Sequence, residues 1–206
     1  GDLNLVADYS LFYDFADDSC YKSIGPILID RVGFCNHTEK GNEKILLSFG
    51  TSFKTSWVEE FLQTLPTNYQ YVLTTCGEQL KIPGSHIEVV DFVDFETISQ
   101  DIKFAIIHGG QGTVYAMASQ GIPFIGIPFF NEQFWNIKKF SEKKCAYLVK
   151  DSNSVNIQEV MNYFEQHYSM FKDNIVQLSR NIKCESEESL KKAEVEIEKF
   201  VRNREL

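Results

Sequence analysis

His108 ends an apolar run, Phe104, Ala105, Ile106 and Ile107, and is followed by Gly109, Gly110, Gln111, Gly112 and Thr113. Residues of these types in this order suit an anion. Glycines let backbone N–H groups come close to a ligand, and the N-terminus of a following helix adds partial positive charge. An imidazole at a strand end supplies one more polar contact. The result is a phosphate cradle in outline. Two plainer readings stay open: a tight strand-to-helix turn with no ligand, and His108 as a hydrogen-bonded core histidine. A dinucleotide-binding fingerprint fits less well, because Tyr115 stands where the third glycine belongs.

The elements that must position these residues alternate between strand and helix. The apolar run 104–107 reads as a buried strand and 114–120 as a helix that stops at Gly121, with a second strand over 124–127 and a helix opened by Glu132 and Gln133. Upstream, Ile45, Leu46, Leu47, Ser48 and Phe49 form a strand, and Ser56 with Glu59 predicts a capping box for a helix over 57–65. Strands follow over 69–75 and 87–90, then a turn and short helix over 91–101. After the central unit come a sixth strand over 146–149, a helix capped by Asn156 and Glu159, and helices over 168–183 and 187–202. The last carries Leu190, Ala193, Ile197, Phe200 and Val201 on one stripe. The expected fold is α/β, a doubly wound parallel sheet of about six strands with extra C-terminal helices, and ligands bind beyond the C-terminal ends of such strands. Residues 1–30 do not read as the start of a domain, and 31–43 reads as a linker or surface loop.

Composition removes several function classes. A net charge of −9 with no basic stripe argues against nucleic acid as a partner. No apolar run approaches the ~20 residues of a membrane span, so no transmembrane segment is expected. The five cysteines (Cys20, Cys35, Cys76, Cys145 and Cys184) contain no CxxC pair, which suggests neither zinc nor a disulfide framework and favours the cytoplasm. Asn36 opens a formal glycosylation sequon that such a compartment would leave unused.

The central residues also carry a resemblance. His108, Gly109, Gly110, Gly112 and Thr113, then Gly121, Ile122, Pro123, Pro128, Glu132, Gln133 and Asn136, resemble the signature of the UDP-glycosyltransferase superfamily. That signature lies in the C-terminal, donor-binding half of the two-domain GT-B fold. Ser48-Phe49-Gly50-Thr51, Phe92-Val93-Asp94-Phe95 and the segment from Tyr21 to Ile27 extend the likeness over nearly the whole chain. The resemblance implies residues 1–43 as the tail of an N-terminal acceptor domain with its linker, and 44–206 as a Rossmann-like nucleotide-sugar donor domain. It implies that His108, Gly110, Gly112 and Thr113 hold the diphosphate, with Thr51 and Ser52 on the same pocket. Phe92 and Val93 would meet the uracil, and Glu132 and Gln133 the sugar hydroxyls.

By the same resemblance the catalytic base belongs to the missing acceptor domain. Transfer from a UDP-hexose to a hydroxyl of a small lipophilic acceptor would then invert the anomeric carbon, with no metal and no further cofactor. Four positions depart from the family pattern. Ala116 stands where an acidic residue binds ribose, Glu132 stands for an Asp, and Phe92 and Phe95 replace Trp and Gln. Losing one charge-assisted pair to ribose costs ~1.5–3 kcal/mol. A stand-alone donor subunit of a split transferase and a non-catalytic nucleotide-binding or regulatory module are the alternatives.

Overall fold

The computed structural model describes residues 3–13, 20–28, 43–51, 53–152 and 154–202. Expectations for Ser52, Cys35, the Asn36 sequon and residues 31–42 lie outside the described residues. Two short strands, β1 (Asn4–Val6) and β2 (Tyr21–Ser23), pair in parallel ahead of the main sheet. The main elements follow as β3 (Lys44–Ser48), α1 (Thr55–Gln63), β4 (Tyr71–Thr74), β5 (Ile87–Val90) and α2 (Phe95–Ile98). Then come β6 (Ile102–Ile107), α3 (Gln111–Ser119), β7 (Phe124–Gly126), α4 (Asn131–Glu142), β8 (Ala146–Leu148), α5 (Ile157–Gln166) and α6 (Tyr168–Arg202).

Six strands form one parallel sheet in the order β5-β4-β3-β6-β7-β8. Their near-continuous apolar runs reflect burial on both faces. On one face Leu46, Val72, Ala105 and Ile107 pack against α3, α4 and α6; on the other Ile45, Leu47, Leu73, Phe104 and Ile106 pack against α1 and α5. The strand order reverses between β3 and β6, and Ser48 pairs with Ile107, so the two strands end side by side. The loops that leave them border one crevice, where open α/β sheets bind ligands.

The sheet matches the expectation; several helix boundaries do not. No side chain caps α1. The helix starts at Thr55, with the Trp57 and Val58 N–H groups on the Lys54 carbonyl, and Glu59 instead accepts the Lys81 N–H at 2.9 Å. The Asn156 cap of α5 is present, with its side-chain oxygen 3.3 Å from the Glu159 N–H. The two expected C-terminal helices are one, α6, since neither Gly nor Pro interrupts residues 183–187. Ser189 is its last fully buried residue, and its hydroxyl donates to the Pro26 carbonyl at 2.9 Å. Beyond it the expected apolar stripe is exposed, Leu190 by 69% and Ile197 by 48%. A helix of 35 residues is roughly 50 Å long and outruns the sheet it packs on.

Candidate functional site

The glycine-rich turn is built by its neighbours. Gly109 has φ +92°, and a Cβ there would lie 2.5 Å from Cδ1 of Ile137 and 2.9 Å from the Gln133 carbonyl. Only glycine suits this position. The Gly109 carbonyl accepts from Asn136 Nδ2 at 3.0 Å, which fixes the turn against α4. α3 begins at Gln111, three residues earlier than expected, and its first bonded amide is that of Val114, to the Gly110 carbonyl at 3.0 Å. The amides of Gln111, Gly112 and Thr113 therefore belong to the unpaired first turn of the helix. They are the donors an anion needs. The other end of α3 closes in a Schellman motif, with Gly121 N–H on the Ala118 carbonyl and Ile122 N–H on that of Met117.

His108 is buried beside this turn. Its Nδ1 lies 3.2 Å from the Ser48 carbonyl. A carbonyl can only accept, so Nδ1 carries the hydrogen, and in the neutral ring Nε2 holds a lone pair. Nε2 points to the turn, for a Cβ on Gly110 would lie 2.5 Å from it and one on Gly50 2.8 Å. Burial lowers the His108 pKa, partly opposed by the Ser48 contact and the charge of Glu132. The free imidazole is thus held neutral with its acceptor nitrogen facing the crevice. An anion there reverses the preference and draws a proton onto Nε2.

A cavity of about 960 Å³ opens over the ends of β3 and β6. Of the sequence-expected residues, Thr51, Phe92, Val93, His108, Gly110, Gly112 and Thr113 line it. Glu132 and Gln133 do not. Gln133 is buried, and its Oε1 accepts the Phe129 N–H at 2.8 Å and the Phe130 N–H at 3.3 Å, which caps α4. Glu132 accepts from Asn136 Nδ2 at 2.6 Å and acts on His108 through its charge. The aromatic cluster that follows β7 divides. Phe129 packs edge-on against Trp57 at 4.7 Å, while Phe130 and Trp135 are exposed.

Two contributors have no signal in the sequence pattern. Lys183, Ser186 and Glu187 of α6 line the cavity, as do Ile27 and Leu28 of the N-terminal segment. That segment is docked closely. The Tyr115 hydroxyl accepts the Tyr9 N–H at 2.7 Å and donates to Asp8, whose carboxylate also meets Lys139 at 2.5 Å and the Tyr13 hydroxyl at 2.6 Å. Gln111 Nε2, at the start of α3, donates to the Ala7 carbonyl at 2.8 Å. Among the described residues no cluster of three or more His, Cys, Asp or Glu side chains is arranged to hold a metal, and no helix is long and apolar enough to cross a membrane. Cys145 is a core thiol whose pKa burial pushes up to about 12.

The family model described as UDP-glucoronosyl and UDP-glucosyl transferase matches residues 101–204, half of the chain. Human UDP-glucuronosyltransferase 2B17 is 34% identical over 80 residues, 38% of this chain and 15% of that protein. Among solved structures, the spinosyn forosaminyltransferase SpnP superposes with a TM-score of 0.76 at 14% identity, over 98% of this chain and 55% of that one. The glycosyltransferase VinC in complex with DTDP gives 0.65 at 15% identity, over 87% of this chain and 49% of that one. The chain thus spans about half the length of these solved glycosyltransferases, and the likeness to them is one of fold.

Proposed function

The chain belongs to the UDP-glucoronosyl and UDP-glucosyl transferase family, and from that premise we propose that it holds the nucleotide-sugar donor of an inverting glycosyltransferase. The donor is a UDP-hexose and the acceptor a hydroxyl of a small lipophilic molecule, bound by a domain outside this chain. One observation carries the reading: seven residues that follow three separate strands converge on one cavity at the point where strand order reverses.

In this reading the diphosphate sits on the first-turn amides of α3 with His108 Nε2 against it. As the acceptor hydroxyl attacks the anomeric carbon, the bond to the diphosphate breaks and negative charge grows on the leaving oxygen. Preorganised amides and a protonated His108 stabilise that charge without reorganising. The hydroxyl proton leaves to a base in the acceptor domain, so this chain alone binds donor without useful turnover. No metal is required where these groups offset the phosphate charge.

The test is calorimetric titration of the folded chain with UDP, TDP and GDP beside His108→Ala. The expected result is micromolar UDP binding that the variant weakens ten- to a hundredfold, the worth of one charge-assisted hydrogen bond. Absence of binding to all three, with circular dichroism showing a folded chain, overturns the reading. A preference for TDP or GDP reassigns the nucleotide and keeps the donor role.

A further inference from the structure

We propose that Asp8 is a positioning residue for the phosphate cradle, an inference that rests on the donor-site reading above. The cradle is weakly held by its own sequence. Gly110 precedes α3, Gly112 sits in its first turn, and among the described residues no side chain caps this helix start. Glycine has the greatest backbone freedom of any residue and weakens a helix. Amides that are to stabilise an anion without reorganising must then be held from outside the turn.

The N-terminal segment supplies that hold at two levels of α3. Gln111, the first residue of the helix, donates through Nε2 to the Ala7 carbonyl at 2.8 Å. Four residues on, on the same side of the helix, the Tyr115 hydroxyl accepts the Tyr9 N–H at 2.7 Å and donates to Asp8 Oδ1. Burial and the Asp8 charge raise the Tyr115 pKa, so the hydroxyl keeps its proton. Asp8 Oδ2 meets Lys139 of α4 at 2.5 Å. Lys139 lies three residues from Asn136, whose Nδ2 holds the Gly109 carbonyl at 3.0 Å. One buried carboxylate thus joins the helix that carries the cradle amides to the helix that fixes the glycine turn.

The segment is itself anchored. The Ser10 N–H and hydroxyl both bond Glu185 of α6, the N–H at 3.0 Å, and Phe12 packs edge-on against Phe140 of α4 at 5.1 Å. Lys139 offsets the Asp8 charge, so the clamp brings no net charge to oppose a bound diphosphate. Removing one member of such a network leaves its partners buried and unpaired, so the loss exceeds a single bond.

The discriminating measurement is titration with UDP and with uridine, which lacks the phosphates, for the wild-type chain, Asp8→Ala, Asp8→Asn, Tyr115→Phe, Glu165→Ala and His108→Ala. Glu165→Ala breaks the 2.8 Å ion pair to Lys103 near the start of β6, away from the cradle, and serves as the stability control. Asp8→Ala is expected to weaken UDP by about tenfold or more and to leave uridine unchanged. Asp8→Asn, which keeps an acceptor for Tyr115, loses less, and Tyr115→Phe lowers the same ratio. Without ligand, the amide resonances of Gln111, Gly112 and Thr113 should shift in Asp8→Ala and stay in place in Glu165→Ala. A merely structural role would lower the urea midpoint, as Glu165→Ala does, and spare the ratio of UDP to uridine affinity. His108-dependent UDP binding whose ratio survives Asp8→Ala overturns this assignment alone. Where Asp8→Ala does not fold, an unchanged ratio in Tyr115→Phe does the same. A folded wild-type chain that binds no UDP overturns the donor-site reading and this one with it.

Discussion

The two ends of the cavity are built differently. At the phosphate end the donors are backbone amides of consecutive residues, held by a turn that Asn136 and Ile137 lock in place. His108 beside them is oriented by the Ser48 carbonyl on the adjacent strand. Around the rest of the cavity, which the donor reading gives to the nucleoside, the walls are side chains from four distant parts of the chain: Ile27 and Leu28; Phe92 to Glu96; Ala116, Ser119 and Gln120; and Lys183, Ser186 and Glu187. At Gly109 and Gly110 the cradle has no room for a Cβ, whereas a side-chain wall accepts substitution. On the donor reading proposed above, the cradle sets whether a nucleotide binds, and the side-chain walls set which one.

Breaking the phosphate end has the largest expected effect. A Cβ at Gly110 would lie 2.5 Å from His108 Nε2, so Gly110→Ala displaces the ring and obstructs the cradle. UDP affinity should fall by more than about a hundredfold by titration, with the chain still folded by circular dichroism.

Protonation sharpens the same contrast. Burial holds the His108 pKa below its ordinary 6.5, so the free ring is neutral at pH 7. The bound diphosphate stabilises the imidazolium, so binding takes up a proton. Affinity for a UDP-sugar, whose phosphates do not titrate in this range, should rise as pH falls from about 8 to 6, by at most about tenfold per unit. The rise levels off below the pKa of the free ring. Titration in buffers of different ionisation enthalpy reads the uptake directly, and His108→Gln should abolish both uptake and slope. A flat profile in the wild type would place His108 outside the phosphate contact.

Changes at the nucleoside end should be smaller. Ala116→Glu introduces an acid on the α3 wall and should tighten UDP binding by roughly three- to tenfold, leaving the pH slope untouched. Further away, Asn156→Ala removes the α5 cap and should cost about 1 kcal/mol in urea unfolding with no change in UDP affinity. Any loss of affinity in that variant would show that the cavity depends on the far face of the sheet.

The same division explains what could be read from the residues alone. The glycine turn, the strand before it and the helix after it are contiguous, and their chemistry follows from local rules of backbone conformation and capping. Gln133 is instructive because its place in the motif suggested a sugar contact, yet its oxygen is spent on the α4 N-terminus. A polar side chain near a helix start has two uses, and the path of the preceding backbone decides between them. Ser56 and Glu59 have the spacing of a capping box, but the chain enters α1 at Lys54 and leaves Glu59 to hold Lys81.

By itself the sequence determined the alternation of strand and helix, the six-stranded parallel sheet and the glycine-rich turn, because each is announced by periodicity and neighbours within a few residues. Tertiary structure alone decided that residues 7–13 lock onto α3 and α4 through Asp8, and that Lys183, Ser186 and Glu187 of α6 line the cavity. Those outcomes depend on which surfaces meet across 70 to 180 residues of chain, such as Ser10 on Glu185 and Pro26 on Ser189. A meeting of that kind leaves no periodic trace in either partner, since each is an ordinary residue until the other arrives.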